Sequence, residues 1–422
     1  MRLIILIQAV MLILPATGAI SAGDTLSLDE CIELALKNNP TVIVHREALY
    51  ATEMGVTVSR SPLLPKLDAS SGYTKSGDGT ATESYSSSVT LSQTLFQGGR
   101  NLSAVSAARA QSEIARQNLN LTENRIAESV KEGFYSVIQK QERLALTQAV
   151  LKRRKEDLVL VRLKYRAGIE SEAAVSEGEA NFAEAEYDKM SAEEELRLAK
   201  LSLNLLMGRS KETAIEVEKD VRLPDFPSRN DAVAIAAKSR PEIAQAEARV
   251  TLQKAYLSQS RASFLPNLNL NASLGRHGEE FLSGEDSWSA GVRLSLPLFD
   301  GFRTPAGYLQ SRAGVRQQNA QYEDTKRTVE EDVEKAYSQW LVANKRMEVA
   351  EKNLSAATAM YDLTRLQYQQ GTVAHFIFQQ RELSLTQAEY ERVTASYSML
   401  AAAARLENAL GRPSSVTPRG KR

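Results

Sequence analysis

Cysteine is almost absent from this chain: Cys31 is the only one in 422 residues. A single thiol excludes an intramolecular disulfide and leaves no cysteine pair for a structural metal. In the setting Asp29-Glu30-Cys31 it reads as a small packed side chain, not as a lipid-attachment site. Histidine is nearly as scarce. His45, His277 and His375 stand far apart, without the helical His-Glu spacing of a metalloenzyme. No glycine-rich phosphate loop follows a buried strand, and no nucleophile elbow occurs. The formal net charge is zero, so there is no basic footprint for nucleic acid. These absences argue against an enzyme, a cofactor, a metal site and a nucleic-acid partner.

Long hydrophobic runs are also missing, except at the start. Met1-Arg2-Leu3 opens an apolar run to Leu14, Pro15 breaks it, and small residues follow to Ala22. This reads as a secretory signal over residues 1–22, cleaved near Ala22 or at Ala19. A membrane anchor would need ~20 apolar residues. Beyond residue 22 nothing approaches a transmembrane helix, so membrane entry would require a barrel.

Helix breakers are withheld from particular segments. No proline occurs between Pro65 and Pro224 or between Pro305 and Pro413, and Gly133 is the only glycine between Asn101 and Arg166. The sequence predicts a first helix from Ser27, with the capping-box residue Glu30, past Asn39-Pro40 with at most a break there, to about Ser59. A second copy runs from about Asn230 past Arg240-Pro241 to about Ser260. Very long helices follow, roughly Arg100–Tyr165 and Thr304–Tyr368. A third pair covers about Ser171–Met207 and His375–Leu410. Ile126, Val130, Phe134 and Val137 step by four, four and three, and Leu151, Leu158, Val161 and Tyr165 by seven, three and four. Such narrow stripes join helices to one another, and the remaining Lys, Arg, Glu and Gln faces meet water.

Between the first and second helices of each half the period changes to two. Trp288, Ala290, Val292, Leu294, Leu296 and Leu298 alternate with small or polar residues, as do Leu268, Leu270, Ala272 and Leu274. The first half is weaker, with Leu67, Ala69 and Tyr73, then Tyr85, Val89, Leu91 and Leu95. Strands of ~9–11 residues with one apolar face suit a tilted membrane strand. The polar segments at 76–82 and 277–285 read as hairpin tips. Trp288 and Tyr85 read either as an interfacial aromatic girdle or as ordinary strand residues. Four strands cannot close a barrel and would leave exposed edges, whereas a symmetric trimer would supply twelve.

The halves repeat. A shift of 201 carries Leu64-Pro65-Lys66-Leu67 onto Leu265-Pro266-Asn267-Leu268, and a shift of 203 carries Leu95-Phe96-Gln97-Gly98 onto Leu298-Phe299-Asp300-Gly301. The expected organisation is a signal at 1–22, a first repeat at 23–226 with its hairpin at about 66–96, a second repeat at 227–412 with its hairpin at about 267–298, and a disordered basic tail at 413–422.

Ala35-Leu36-Lys37-Asn38-Asn39-Pro40 and Ala236-Ala237-Lys238-Ser239-Arg240-Pro241, the leads Ser59–Pro65 and Ser260–Pro266, and the exits Phe96–Arg100 and Phe299–Arg303 together resemble the TolC-type outer-membrane efflux proteins, over nearly the whole mature chain. The resemblance implies a mainly α fold with a small antiparallel β part. Long-helix hairpins would form a periplasmic α-barrel, and a homotrimer would share a twelve-stranded β-barrel in outer-membrane lipid. Its implied partners are a periplasmic adaptor and an inner-membrane transporter, which feed cargo into a passive duct.

The family's adaptor-docking motif Arg-x-x-Tyr-x-x-Gly is matched by Arg162, Tyr165 and Gly168 and again by Arg365, Tyr368 and Gly371. The glycine allows the turn between antiparallel helices. The alternative is a plain helical turn with tyrosine in the seam. Where some members carry an acidic residue six positions past the glycine, this chain has Ala174 and Ile377. Glu170 and Glu172 would form a charge ring at the periplasmic entrance or simply favour a helix dipole, and Phe376 or Phe378 would form an apolar constriction. Trp288, Val292, Leu294 and Leu296 are the lipid-facing candidates. The competing readings are a periplasmic coiled-coil spacer or adaptor that never enters a membrane, and a secreted hydrolase with helical decoration.

Overall fold

The computed structural model describes residues 25–77, 81–219, 223–281 and 284–411. The signal at 1–22, the tail at 413–422 and parts of both hairpin tips lie outside these residues. The first half runs β1 (Thr25–Leu26), α1 (Leu28–Asn38), α2 (Pro40–Arg60), β2 (Lys66–Gly77), β3 (Ala81–Gln97), α3 (Arg100–Arg166) and α4 (Glu172–Leu206). The rest runs β4 (Glu216–Val217), α5 (Arg229–Ser239), α6 (Pro241–Ala262), β5 (Asn267–Gly278), β6 (Glu285–Ser295), α7 (Arg303–Gln369) and α8 (His375–Ala409).

Ser27 caps α1 reciprocally with Glu30. The Ser27 N–H donates to Glu30 Oε2 at 2.8 Å, and the Glu30 N–H donates to Ser27 Oγ at 3.4 Å. At Asn39-Pro40 the break that the sequence allows is present, and two helices form. Asn39 is extended, as a residue before proline prefers, and its side chain accepts from the Thr41 N–H at 2.9 Å to start α2. Arg240-Pro241 divides α5 from α6 with the same extended backbone but without a side-chain cap.

Helices α3 and α7 each hold 67 residues, roughly 100 Å at ~1.5 Å per residue. Pro305 sits in the first turn of α7, where its missing N–H costs no helical bond. Helix α3 packs on α2, α4, α6 and α8, and α7 packs on α5, α6 and α8. The stripe read from sequence is buried at Val130, Phe134, Val137, Leu158 and Val161. Two related cores anchor the shorter helices. Cys31, Ile32, Phe134, Leu203 and Met207 form one, and Ala232, Ala236, Val333, Leu406 and Leu410 form its counterpart. Burial pushes the Cys31 thiol up to about 12, so it stays an unreactive packing group. The parallel pair β1–β4 adds to the first core through Leu26 and Val217. Two residues per strand are too few to leave a sequence period, which is why this pair escapes the sequence reading.

Strands β2, β3, β5 and β6 form one antiparallel sheet in the order β2-β3-β5-β6. The second hairpin ends at Ser295, short of the expected 298. Pairing aligns the sides of the four strands. Val89 stands between Ala69 and Leu274, and Leu274 faces Trp288; Leu270 faces Val292, and Leu268 faces Leu294. The other face carries Ser70, Ser88, Ser273 and Ser289, with hydroxyl contacts of 2.9 Å between Ser70 and Ser88 and between Ser273 and Ser289. The sheet thus has an apolar side and a hydroxyl- and amide-lined side, and the apolar side chains of β6 and Leu274 on it are exposed among the described residues. Among the described residues no helix is long and apolar enough to cross a membrane.

Candidate functional site: the paired helix tips and the sheet surface

Each long helix ends in the same turn. Gly168 has φ 71 and Gly371 φ 77, a left-handed backbone that side chains other than glycine's resist. The Ile169 N–H donates to Lys164 O at 2.9 Å and the Gly168 N–H to Tyr165 O at 2.9 Å; Thr372 and Gly371 repeat the pattern onto Gln367 and Tyr368. This is the Schellman arrangement, which satisfies the last carbonyls and reverses the chain into the next helix.

The two tips share a backbone but differ in their side chains. Tyr165 is exposed, outside the seam in which its spacing would put it, while Tyr368 is fully buried. The Tyr368 hydroxyl donates to Glu170 at 3.0 Å, and the Lys164 ammonium lies 3.9 Å above the Tyr368 ring and donates to the Tyr368 carbonyl. Arg365 donates to Glu156 at 3.1 Å, so the α7 tip is tied to α3 at several points. Arg162 instead pairs with Glu179 on α4 at 2.6 Å. Of the motif residues, Tyr165 is the tyrosine left at the surface.

Of the two phenylalanines offered for a constriction, Phe378 is the buried one. It is 2% exposed, stacked on Tyr368 at 4.8 Å with 3° between the rings, and on Tyr361 at 5.9 Å. A side chain locked in that stack does not line an entrance. Two residues span ~200° on a helix, so Phe376 points the other way and is 72% exposed. Glu172 is exposed in the first turn of α4, whereas Glu170 is half-buried and engaged by Tyr368.

Above the tips lies a charged layer that the sequence reading missed. Glu382 is buried, with Arg153 at 3.5 Å and Arg154 at 3.6 Å. Arg153 also donates to Glu389 at 2.9 Å and to Thr386 at 2.8 Å, and Arg154 to Glu184 at 2.9 Å and to the Asn181 carbonyl at 2.9 Å. The signal was the gap in the stripe between Leu151 and Leu158, where Arg154 holds the expected seam position. Asp157 borders this layer. Burial is the main cause that raises its carboxyl from 3.8 to about 6, against Arg365, with Glu382 adding, Arg153 opposing and Glu156 adding. The folded state therefore binds the proton more tightly than the unfolded chain. Its contribution to stability is greatest below pH ~4 and is lost as pH rises through about 6. Asp157→Asn is expected to abolish that loss, on the order of 3 kcal/mol in full at ~1.4 kcal/mol per pKa unit and about 2 kcal/mol of it between pH 4.5 and 7.5. Helix melting followed by circular dichroism at pH 4.5 and 7.5 checks this; equal pH dependence in both proteins would refute it.

The lipid-facing candidates stand on one sheet face. Trp288, Val292 and Leu294 are exposed on β6, and Leu296 follows the strand end on the same alternation. Tyr85 meets Tyr73 at 5.0 Å with the rings tilted by 43° and approaches Phe281 at 6.3 Å, which places an aromatic cluster near the hairpin tips.

The family profile for outer membrane efflux proteins matches residues 31–209 and 232–412, one span in each half. Outer membrane efflux protein BepC of Brucella suis biovar 1 is 24% identical over 405 residues, covering 92% of this chain and 87% of BepC. Alkaline protease secretion protein AprF of Pseudomonas aeruginosa is 26% identical, covering 90% of this chain and 83% of AprF. The crystal structure of the outer membrane protein VceC of Vibrio cholerae superposes with a TM-score of 0.80 at 20% identity, over 91% of this chain and 96% of VceC.

Proposed function

Because the chain belongs to the outer membrane efflux protein family and is an outer-membrane channel with a long periplasmic helical barrel, we propose that three copies close one passive exit duct. The carrying observation is the four-stranded sheet, apolar on one side, polar on the other and open at both edges. Three such sheets supply twelve strands, an even number that closes without edges. The hydroxyl and amide side then faces a water-filled lumen, and Trp288, Val292, Leu294 and Leu296 face lipid. Residues 23–226 and 227–412 serve as two structural repeats, each contributing one hairpin to the barrel and one helix pair to the periplasmic tube.

A periplasmic adaptor docks at the helix tips, where Arg162, Tyr165 and Gly168 form one contact and Arg365 and Gly371 the other. Tyr368 supports the second tip from within. Glu172 and Phe376 border the entrance. The drive for export comes from an inner-membrane transporter. The alternative of a periplasmic spacer leaves the apolar sheet face without a purpose.

The test is the native mass of protein extracted from purified outer membranes, with detergent mass subtracted. Three protomers are expected. A monomer or dimer absent from that fraction would overturn the duct. Tyr165→Ala is expected to keep the trimer but lose capture by the adaptor produced from the same cells; undiminished capture would remove Tyr165 from the docking surface.

A further inference from the structure

The duplication carries information about a contact that one chain cannot make. Both hairpins have the same internal register. Lys66 faces Ser92 and Asn267 faces Ser295, positions related by the shifts of 201 and 203. The junction between hairpins is also defined: on β3 and β5, Val89 faces Leu274, Thr90 faces Ser273 and Ser92 faces Asn271, with a bulge between Thr94 and Phe96. The equivalent junction on the other side is missing, because β2 and β6 are the sheet edges. Its absence has a local mark. β3 is strand to Gln97, but β6 stops at Ser295, so residues 296–300, the counterparts of 93–97, have no ladder to join.

We propose that β6 of one copy pairs antiparallel with β2 of the next copy in the register of the β3–β5 junction: Val292 opposite Tyr73, Arg293 opposite Gly72, Leu294 opposite Ser71 and Ser295 opposite Ser70. This rests on the trimeric-duct reading and specifies its seam. Sidedness supports it. Val292 meets Tyr73 on the apolar side, and Ser295 meets Ser70 on the polar side. A one-residue slip would set every apolar side chain of β6 against the polar row of β2. Volume supports it too, since the long Arg293 side chain falls opposite a glycine. Continued past the bulge, the register sets Asp300 against Lys66, which in the single chain turns back to Asp68 at 2.8 Å. Pro297 falls at the counterpart of Thr94, beside the bulge, where a missing N–H is tolerated.

A two-residue slip would keep the faces, so the test must resolve it. Ser295→Cys with Ser70→Cys, and separately Leu294→Cys with Ser71→Cys, are expected to form intermolecular disulfides on mild oxidation in outer membranes. Neighbouring pairs alternate between wide and narrow Cβ spacing, so one of the two designs has a narrow pair suited to a disulfide. The readout is a reducible ladder of two and three protomers on denaturing gels. Ser295→Cys with Asp68→Cys, or with Gly72→Cys, should give none, and single-cysteine variants control for the buried Cys31. More product from a shifted pair, or none from either matched design in protein that is trimeric by native mass, overturns the register. A wild-type protein that is not trimeric instead overturns the duct reading on which the register rests.

Discussion

Val292→Arg and Leu294→Arg are each expected to abolish assembly in the outer membrane. Both side chains are exposed on β6, and each stands opposite a leucine of β5, so they belong to one continuous apolar surface. On the proposed lipid-facing side, Val292 is two residues from the middle of β6 and Leu294 four, and hydrocarbon there would hold no water to solvate a guanidinium. The cost of arginine there is ~2–4 kcal/mol. A trimer carries the substitution three times, giving roughly 6–12 kcal/mol, comparable to the whole stability of a typical domain at ~5–15 kcal/mol. Ser289→Arg is the matched control, since Ser289 lies on the hydroxyl-lined side against Ser273. It should assemble, because its charge meets a water-filled lumen. The measurement is the fraction of each variant in purified outer membranes and its native mass there. If Val292→Arg assembles as well as Ser289→Arg, the assignment of the two faces is wrong.

The parts legible in the sequence are those fixed by local rules repeated many times. The 67-residue helices follow from proline exclusion and a sustained stripe, and the limits read from sequence fall within about two residues of the structure. The strands follow from alternation. Where the structure departs from expectation, a partner distant in sequence decides the outcome. The divisions at Pro40 and Pro241 are not such departures: the sequence allows a break there, and the extended backbone of Asn39 and Arg240 makes it. Strand β6 ends at Ser295, opposite the first residue of β5, because no described residue pairs with 296–300, while β3 continues against β5 to Gln97. Tyr165 and Tyr368 have identical motif spacing, yet one is exposed and the other buried. The difference lies in Lys164 and Glu170, which act on Tyr368 from the other half of the chain. A motif describes one helix tip, whereas burial depends on which tip leans on which. Gly99 and Phe302 make a similar point. Both start a long helix with a left-handed backbone, at φ 82 and φ 66, although only one is a glycine. The bend persists in the second copy despite the steric cost of a side chain, ~1–2 kcal/mol.

Phe378→Ala is expected to loosen the helix tips while leaving the outer-membrane part intact. Phe378 is the middle ring of a buried stack between Tyr361 and Tyr368, and truncation of such a ring costs ~3–5 kcal/mol when the cavity does not collapse. Collapse is restrained here on both sides. The Tyr368 ring is held under Lys164 and tied to Glu170, and Tyr361 is flanked by Arg153, 5.5 Å from its centroid. The loss therefore falls on the contact between the α3–α4 and α7–α8 tips, each reached from the sheet only through a 67-residue helix. Hydrogen exchange in the trimer should accelerate at the ends of α3 and α7 and the starts of α4 and α8, with the strands unchanged, because local opening draws on local contacts. Phe376→Ala removes a ring of the same size two positions earlier, where it is 72% exposed, and should leave exchange near that of the wild type. The pair separates two roles that the sequence left interchangeable. If both variants open the tips equally, the buried stack does not hold them. If only Phe378→Ala does so, and Phe376→Ala alone alters conductance, Phe378 belongs to the joint between the hairpins and Phe376 to the path of the cargo.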